Sequence, residues 1–310
     1  MDGAARAHPP RLEDVEDRLA WIFGSSRSGS TWLLRMLGDL PGVAPIDDPH
    51  LGHHLGVWRP ISLGWATAEH PPELTTLDRV KHDKASYFFS DRYRDAWEPG
   101  LRRLIVERFA AEAADLCPEG EPVVVVKEPG SHVADHLIRL FPSSRLVFLL
   151  RDGRDVVDSW LAAYRSGSWA LDEGAFPVTD QGREALVRWQ SAVWAFRTDV
   201  VSRVYDAHPP ERRVLVRYED LVDDPVRELA RITEVVPVGV SPADLVRVAD
   251  AHAYERVPAS QKGHAKEIRS ARPGGWRHNL SRREHDVMHE VMGVQLVRHG
   301  YALPEPAGAG

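Results

Sequence analysis

Short apolar runs along the chain, each followed by a loop and then a helical pattern, predict a parallel β-sheet. Three runs have the composition of buried strands, namely residues 20–23, 123–126 and 146–150, and a fourth is formed by residues 214–216. Strands that alternate with helices favour an α/β fold, a three-layer sandwich with a central parallel sheet and helices on both faces. In such folds ligands bind at the carboxyl ends of the strands.

Two long segments between these elements, residues 43–99 and 165–181, show no regular period and are rich in Trp, His, Pro and Gly. Long loops in compact domains commonly form lids or binding loops, so we expect both segments to cover a substrate site. The Ala-, Pro- and Gly-rich ends, residues 1–17 and 304–310, are expected to be flexible tails. We expect residues 1–310 to form a single domain.

Composition and charge narrow the possible functions. The formal net charge of −7 over 310 residues disfavours binding to nucleic acids or anionic membranes, which require a diffuse positive field. A single cysteine, Cys117, excludes an internal disulfide and a multi-thiolate metal site. No stretch approaches the roughly 18 to 20 apolar residues of a membrane span. We therefore expect a soluble, cytoplasmic protein; the sequence leaves the oligomeric state open, with a homodimer as one option.

A loop of small residues, GSSRSGSTW at 24–32, joins the first predicted strand to an amphipathic helix predicted at 33–40. Backbone N–H groups of such a turn and the positive end of the helix dipole form a phosphate cradle. The spacing resembles the Walker pattern, but Ser30 replaces its lysine, which disfavours ATP or GTP. Arg27 could supply the charge instead, although the small residues could also serve only a tight turn. The candidate donors to a phosphate are Ser28, Gly29, Ser30 and Thr31.

A basic turn follows the strand predicted at 146–150. A P-loop nucleotide kinase would place a magnesium-binding acid directly after such a strand, whereas this chain has Arg151. Ser159 lies eight positions later, about two helical turns away, so both side chains could face one anion. Alternatively, Arg151 belongs to a solvated cluster with the charged residues that follow it, which are Asp152, Arg154 and Asp155.

These motifs together resemble those of sulfotransferases that use 3′-phosphoadenosine 5′-phosphosulfate (PAPS). The loop at 26–32 resembles the family's 5′-phosphosulfate loop, and Arg151 with Ser159 resemble its 3′-phosphate pair. Residues 214–225 (VLVRYEDLVDDP) are similar to the Tyr-Glu-Asp segment, and 274–277 (GGWR) to the late Gly-Asp-Trp-Lys element. The resemblance implies transfer of a sulfuryl group from PAPS to a hydroxyl or amine of a small molecule, natural product or carbohydrate. Adenosine 3′,5′-bisphosphate (PAP) would be the product.

The resemblance also implies roles for individual residues in the donor site. Arg27 takes the place of a lysine found in the cytosolic branch of the family. Trp32 would pack on adenine and Tyr218 would line the base pocket, unless both serve only core packing. Arg269 would reinforce the 3′-phosphate site. Since the late segment lacks the family's Arg-Lys-Gly, Lys262 and Arg272 are candidates for the missing charge.

Sulfuryl transfer needs a cation for the leaving oxygen and a base for the acceptor proton. Lys127, at the end of the strand predicted at 123–126, matches the family lysine that stabilises the leaving group. The family's histidine base is replaced by Pro129, so Glu128 is our first candidate for the base. Asp47 and Asp48 are the second, and the remaining candidates are His50, His53, His54 and His132.

We predict no metal, because no carboxylate or thiolate at a suitable spacing completes the histidine cluster at 50–54. Two other functions remain to be weighed against a sulfotransferase. A P-loop nucleotide kinase would share the fold, but Ser30 and Arg151 disfavour it. A catalytically inactive binding or scaffold protein of the same fold is disfavoured by Lys127 and by the intact pair of Arg151 and Ser159.

Overall fold

The computed structural model describes residues 15–54, 86, 89–172, 177–263, 266 and 272–303, without the side chains of residues 53, 54 and 172. Five parallel strands form one sheet in the order β2-β3-β1-β4-β5. Their bounds are Leu19–Phe23 (β1), Val43–Asp47 (β2), Val123–Lys127 (β3), Arg145–Leu150 (β4) and Arg213–Arg217 (β5). Because β1 lies between β3 and β4, the loop that follows it is central at the carboxyl edge of the sheet.

Helices cover both faces of the sheet, which confirms the predicted fold class. Along β1 the side chains alternate, so Trp21 packs into the core under one face and Ile22 into the core under the other. The helices are Ser30–Gly38 (α1), Leu51–His54 (α2), Arg94–Leu116 (α3), Ala134–Leu140 (α4), Gly153–Ala163 (α5), Trp169–Asp172 (α6), Asp180–Ala207 (α7), Tyr218–Asp223 (α8), Pro225–Val235 (α9), Pro242–Ala251 (α10), Trp276–Asn279 (α11) and Arg282–Arg298 (α12). The first core includes residues of α3, α4, α5, α7 and α12, and the second includes residues of α1, α8, α9 and α10.

The prediction of irregular structure over 43–99 is wrong at both ends of that segment. Its start forms β2, and its end contains the first turns of α3. Pro45 argues against a strand because proline has no N–H to donate to a neighbouring strand. β2 tolerates it because β2 is an edge strand that pairs only with β3. Pro99 argues against a helix, because proline inside a helix removes a backbone hydrogen bond, yet it lies within α3. Residues 55–85, 87 and 88 of this segment lie outside the described residues.

Two further boundaries differ from the predictions. The segment 165–181 contains α6 and the start of α7, so it is not irregular throughout. The flexible tail predicted at 1–17 is wrong for residues 15–17, because Val15 and Glu16 are buried there. The Glu16 carboxylate accepts hydrogen bonds from the backbone N–H of Ser143 at 2.6 Å and from the Arg102 guanidinium. These contacts fix the chain before β1. Residues 1–14 and 304–310 lie outside the described residues.

Candidate active site

Lys127 ends β3 at the carboxyl edge of the sheet, where it is 5% exposed. The β2–β3 ladder pairs it with Asp47. The Lys127 Nζ lies 2.6 Å from Asp47 Oδ1 and 2.9 Å from Asp48 Oδ2, and it donates to Thr31 Oγ1 at 2.7 Å. The structure thus brings together three of the groups expected in catalysis, and it joins them to the phosphate loop.

The phosphate loop follows β1 and leads into α1. The helix begins at Ser30, three residues earlier than predicted, so Ser30 and Thr31 lie in its first turn. Gly29 is the N-cap residue with φ +90, and a Cβ there would lie 2.6 Å from the Tyr218 ring. This position therefore requires glycine for both its backbone conformation and its closeness to Tyr218. Within this loop, Ser28 is buried.

Two arginines meet beside this loop. Arg27 donates from Nε to Ser159 Oγ at 3.2 Å, and its guanidinium lies 5.1 Å from the centre of the Trp169 ring. Arg151 donates from Nη1 to the Arg27 carbonyl at 2.9 Å and lies 4.3 Å above the Tyr218 ring. The elements that follow β1, β4 and β5 thereby converge on one place, where two guanidinium groups can attract an anion.

The alternative of a solvated charge cluster after β4 is wrong for the three residues that follow Arg151. Asp152, Arg154 and Asp155 are all buried. Arg154 pairs with Asp152, with Nη2 2.7 Å from Oδ2, and lies 4.1 Å from the Trp276 ring. Asp155 instead holds the late segment, because its carboxylate accepts from Gly274 N at 2.6 Å and Trp276 N at 3.2 Å.

Trp32 and Tyr218, the residues expected around adenine, contact each other. Their rings meet edge to face at 6.3 Å, and Trp32 Nε1 donates to the His252 carbonyl at 3.0 Å. The pKa of the Tyr218 hydroxyl is raised, because the effect of burial exceeds the opposing effect of the nearby Arg151 charge. Such contacts suit core packing as well as a base pocket, so the adenine role stays a prediction.

The basic residues expected from the late segment are less well placed. Arg269 lies outside the described residues, and Arg272 is exposed. Lys262 Nζ lies 4.3 Å from the Tyr254 ring and donates to the Glu255 carbonyl at 3.3 Å. Their contribution to the 3′-phosphate site stays a prediction.

The candidate bases differ in how they are held. Glu128 is 1% exposed, and its carboxylate accepts from Leu51 N at 2.9 Å and from Gly130 N at 2.7 Å. Burial is the main cause that raises its pKa to about 7, and the charge of Asp48 adds to the effect. The side chains of Asp47 and Asp48 are 54% and 40% exposed, on the open side of Lys127. An incoming acceptor can therefore reach the aspartates more easily than Glu128.

The histidine candidates are only partly described. His132 is 1% exposed, and a Cβ added to Gly52 would lie 3.3 Å from its Nε2. His50 follows Asp48 closely, whereas the side chains of His53 and His54 lie outside the described residues. Among the residues whose side chains are described, no group of three or more His, Cys, Asp and Glu side chains is arranged to hold a metal ion.

Sequence reasoning missed Arg197 on α7. Its side chain is 9% exposed, and Nη1 donates to Ser26 Oγ in the phosphate loop at 2.8 Å. Burial lowers the pKa of its guanidinium to about 10, and the charge of Glu128 opposes this shift. A charged residue in a long helix that is otherwise packed against the core would have been the signal. The sequence pattern does not show which positions of this helix are buried, so Arg197 could not be identified.

This fold, with a loop between β1 and α1 that carries arginine and a second arginine after β4, is that of a P-loop-like protein. The sequence model of the Sulfotransferase family matches residues 20–241, so the chain belongs to this family. The predicted class is thereby confirmed over the nucleotide kinase. No curated protein sequence is significantly similar to the chain. In the described residues, no helix is sufficiently long and apolar to cross a membrane.

Several solved sulfotransferase structures share the fold. Sulfotransferase STF9 from Mycobacterium avium is 15% identical with a TM-score of 0.53, and the match covers 94% of this chain and 80% of that one. Mouse sulfotransferase SULT7A1, complexed with PAP, is 11% identical with a TM-score of 0.51, covering 92% and 87%. The sulfotransferase domain of the Synechococcus PCC 7002 olefin synthase is 20% identical with a TM-score of 0.50, covering 92% and 95%.

Proposed function

We propose that this sulfotransferase uses PAPS as its donor, releases PAP, and transfers the sulfuryl group to a hydroxyl or amine of a small-molecule, natural-product or carbohydrate acceptor. The observation that carries the proposal is the meeting of Arg27, Arg151 and Ser159 beside the phosphate loop. This group supplies charge for two separate anions of a nucleotide without a lysine of the Walker type. The similar mouse sulfotransferase was crystallised with PAP.

Within this proposal, the phosphate loop holds the 5′ side of the donor. The backbone N–H groups of Gly29 and Ser30 and the hydroxyls of Ser28 and Thr31 are the proposed donors to the 5′ phosphosulfate, since the Ser28 N–H already donates to the Ser25 carbonyl at 3.2 Å. Arg27 adds charge. Arg151 and Ser159 hold the 3′-phosphate, with Arg269 and Arg272 as additional basic residues. Trp32 and Tyr218 line the adenine pocket. The arrangement requires no metal, since protein cations surround the donor.

Lys127 is proposed to stabilise the leaving group. In an in-line displacement, the acceptor oxygen or nitrogen forms a bond to sulfur while the bond from sulfur to the bridging oxygen breaks. Negative charge then develops on that bridging oxygen, and a cation aimed at it lowers the barrier. Lys127 is suited to this role because Thr31, next to the phosphate site, already holds its Nζ at 2.7 Å.

We assign the acceptor proton to Asp48 rather than to Glu128. Asp48 lies on the open side of Lys127, and its Oδ1 is shielded from solvent but accepts no hydrogen bond from the described residues. Its φ of +49 is strained for a residue other than glycine, and strain of this kind concentrates at functional sites. When Lys127 turns to the leaving oxygen, Asp48 is released to accept the proton. Asp47 then serves to hold Lys127.

The acceptor is proposed to bind over this open side, covered by the segments 43–99 and 165–181. Trp169, which packs on Arg27, belongs to the second segment. We further propose that the enzyme acts in the cytoplasm, which the single cysteine and the absence of a described membrane-spanning helix support. Neither nucleic acid nor membrane is proposed as a partner, and a homodimer is one possible assembly.

Calorimetry tests the donor assignment. The protein should bind PAP without a divalent ion and should not bind ATP with magnesium. Arg151→Ala should weaken PAP binding by about 10- to 100-fold, because it removes a charge-assisted contact. A matched control is Arg298→Ala, since Arg298 is partly exposed and pairs with Asp199 and Asp206 rather than with the candidate site. Unchanged PAP affinity in Arg151→Ala would refute the 3′-phosphate assignment.

Turnover separates an enzyme from an inactive binding protein of the same fold. With PAPS as donor and a panel of hydroxylated and amine-containing metabolites, we expect transfer to at least one acceptor and no loss of rate with EDTA. Binding of PAP without transfer to any acceptor would favour the inactive protein. Loss of turnover on chelation, restored by a divalent ion, would contradict a metal-free mechanism.

A further inference from the structure

Two buried charged residues lie behind the phosphate loop and contact no part of the proposed donor position directly. Arg197 reaches the loop from α7 and donates to Ser26 Oγ at 2.8 Å. A buried guanidinium is costly unless an opposite charge compensates it, and Glu128 is the carboxylate whose charge acts on Arg197. The two side chains do not lie within ion-pair distance of each other. What they share is the phosphate loop, which Arg197 contacts at Ser26 and which Glu128 supports through the turn at Gly130.

Glu128 contacts two other segments through hydrogen bonds. Its Oε1 accepts from Gly130 N at 2.7 Å, and its Oε2 accepts from Leu51 N at 2.9 Å. Gly130 precedes Ser131, whose Oγ donates to the Gly24 carbonyl at 2.6 Å, at the start of the phosphate loop. A Cβ at Gly130 would lie 2.5 Å from Glu128 Oε1, so the close approach requires glycine.

These contacts hold the phosphate loop at two points. Ser26 is fixed through Arg197, and Gly24 is fixed through the turn that Glu128 holds at Gly130. The same carboxylate fixes Leu51, three residues after Asp48. A shift of Glu128 would therefore displace both the donor loop and the segment with the proposed base.

We infer that Glu128 and Arg197 are a pair of positioning residues, which fixes the phosphate loop relative to the segment that carries Asp48. The inference rests on the proposed function, in which this loop binds the donor. It gives Glu128 a role different from a general base. A base acts on the acceptor proton and leaves donor affinity unchanged, whereas a positioning residue alters donor affinity through the loop.

Calorimetric titration with PAP tests the Arg197 half of the pair. We expect Arg197→Gln to weaken PAP binding by about 10- to 100-fold and Ser26→Ala by about 3- to 10-fold. Since both changes remove the same contact, Ser26→Ala should add little in the Arg197→Gln background. Arg197→Lys should restore part of the affinity. Fully additive losses, or no loss in either single variant, would overturn the inference.

Glu128→Gln tests the other half. We expect PAP affinity to fall by about 3- to 10-fold, and the double variant with Arg197→Gln to lose less than the product of the two single effects. Unchanged PAP affinity combined with lost turnover would instead identify Glu128 as the base and overturn its positioning role. Arg203→Gln is the matched control, because Arg203 is exposed on α7 and pairs with Asp199.

Each variant should first show wild-type helix content and cooperative urea unfolding. If Arg197→Gln does not fold, Ser26→Ala and Arg197→Lys still decide the question. Ser26→Ala leaves Arg197 in place, and Arg197→Lys keeps a positive charge at the same position. The outcome for the wild type separates the two proposals. A wild-type protein that does not bind PAP refutes the donor assignment, whereas a wild type that binds PAP like all folded variants refutes the positioning pair.

Discussion

Residues with strained backbone concentrate at the candidate site. Among the described residues other than glycine, Arg27, Asp48 and His50 have positive φ, at 70, 49 and 52. Each such conformation costs about 1 to 2 kcal/mol for an L-residue, so it persists only where the surroundings impose it. Asp48 follows β2 and Arg27 follows β1, the two strands that lie on either side of β3, which ends at Lys127. Their strain is consistent with side chains held in place for function.

Asp48→Asn tests the proposed base. The amide keeps the shape of the side chain but cannot accept a proton, so turnover should fall by about 10²- to 10⁴-fold with PAP affinity nearly unchanged. Asp47→Asn is the matched control, because it removes the other carboxylate that contacts Lys127, and it should have the milder effect. An active Asp48→Asn variant would move the base to Asp47 or to a histidine such as His50.

Residues in short motifs could be predicted, but residues that act through packing could not. Arg27, Lys127 and Arg151 follow strand ends, and the sequence places such residues at one edge of the sheet whatever the details of the fold. Arg197 lies in the middle of a 28-residue helix, where nothing in the sequence identifies its partner Ser26, 171 positions away. For the same reason the two backbone contacts of Glu128 were not foreseen.

At the scale of elements, the sequence predicted the three central strands and the edge strand β5 but missed the other edge strand, β2. The predicted bounds of β1, β3, β4 and β5 differ from those observed by one residue at one or both ends. The central strands β1, β3 and β4 are largely apolar runs because helices cover both faces of the sheet. β2 contains Pro45 and ends in Asp47, so its sequence lacks that pattern. The missed strand is functionally important, since it delivers Asp47 and Asp48 to Lys127.

Residues 274–277 contact the start of α5. Asp155 holds the backbone at Gly274 and Trp276, while Trp276 packs on the Arg154 guanidinium. The pKa of the Asp155 carboxyl is raised, because the effect of burial exceeds the opposing effect of the nearby Arg151 charge. The resemblance of residues 274–277 to a family motif thus corresponds to a physical contact beside Arg151.

Asp155→Ala should release the late segment. The change leaves two backbone N–H groups without their acceptor, and we expect a loss of about 1 to 3 kcal/mol in the free energy of unfolding. Hydrogen exchange at Gly274 and Trp276 should accelerate more than exchange in the sheet, and PAP affinity should fall. Exchange at these two residues that matches wild type would show that the contact does not hold the segment.

At the scale of the whole molecule, an acidic protein carries a local group of four cations at one edge of its sheet. The formal net charge is −7, yet Arg27, Lys127, Arg151 and Arg197 all lie at or behind the phosphate loop. A local positive site in an acidic surface attracts a small polyanion. The prediction of a single domain over 1–310 stays a prediction, although the described strands belong to one sheet.

Burial of ionisable groups also makes stability depend on pH. Burial raises the pKa of Glu128, Asp155 and Glu219, so these carboxyl groups favour folding most when protonated. Burial lowers the pKa of His208, His289 and His299, so these groups oppose folding at acidic pH. The two sets act in opposite directions near neutral pH. A variant of one group is therefore needed to isolate its contribution.

Glu128→Gln isolates the largest carboxyl contribution. The pKa of Glu128 rises from 4.5 to about 7 on folding, so its stabilising contribution is complete below pH 4.5 and is lost as pH rises to about 7. A shift of this size corresponds to roughly 3 kcal/mol, and the charges of Asp48 and Arg197 modify the value. Glutamine cannot ionise, so the variant should gain about that much stability relative to wild type between pH values of about 5 and 8. Urea unfolding of both proteins at these two pH values measures the change, and parallel stability curves would show that Glu128 is not held with a raised pKa.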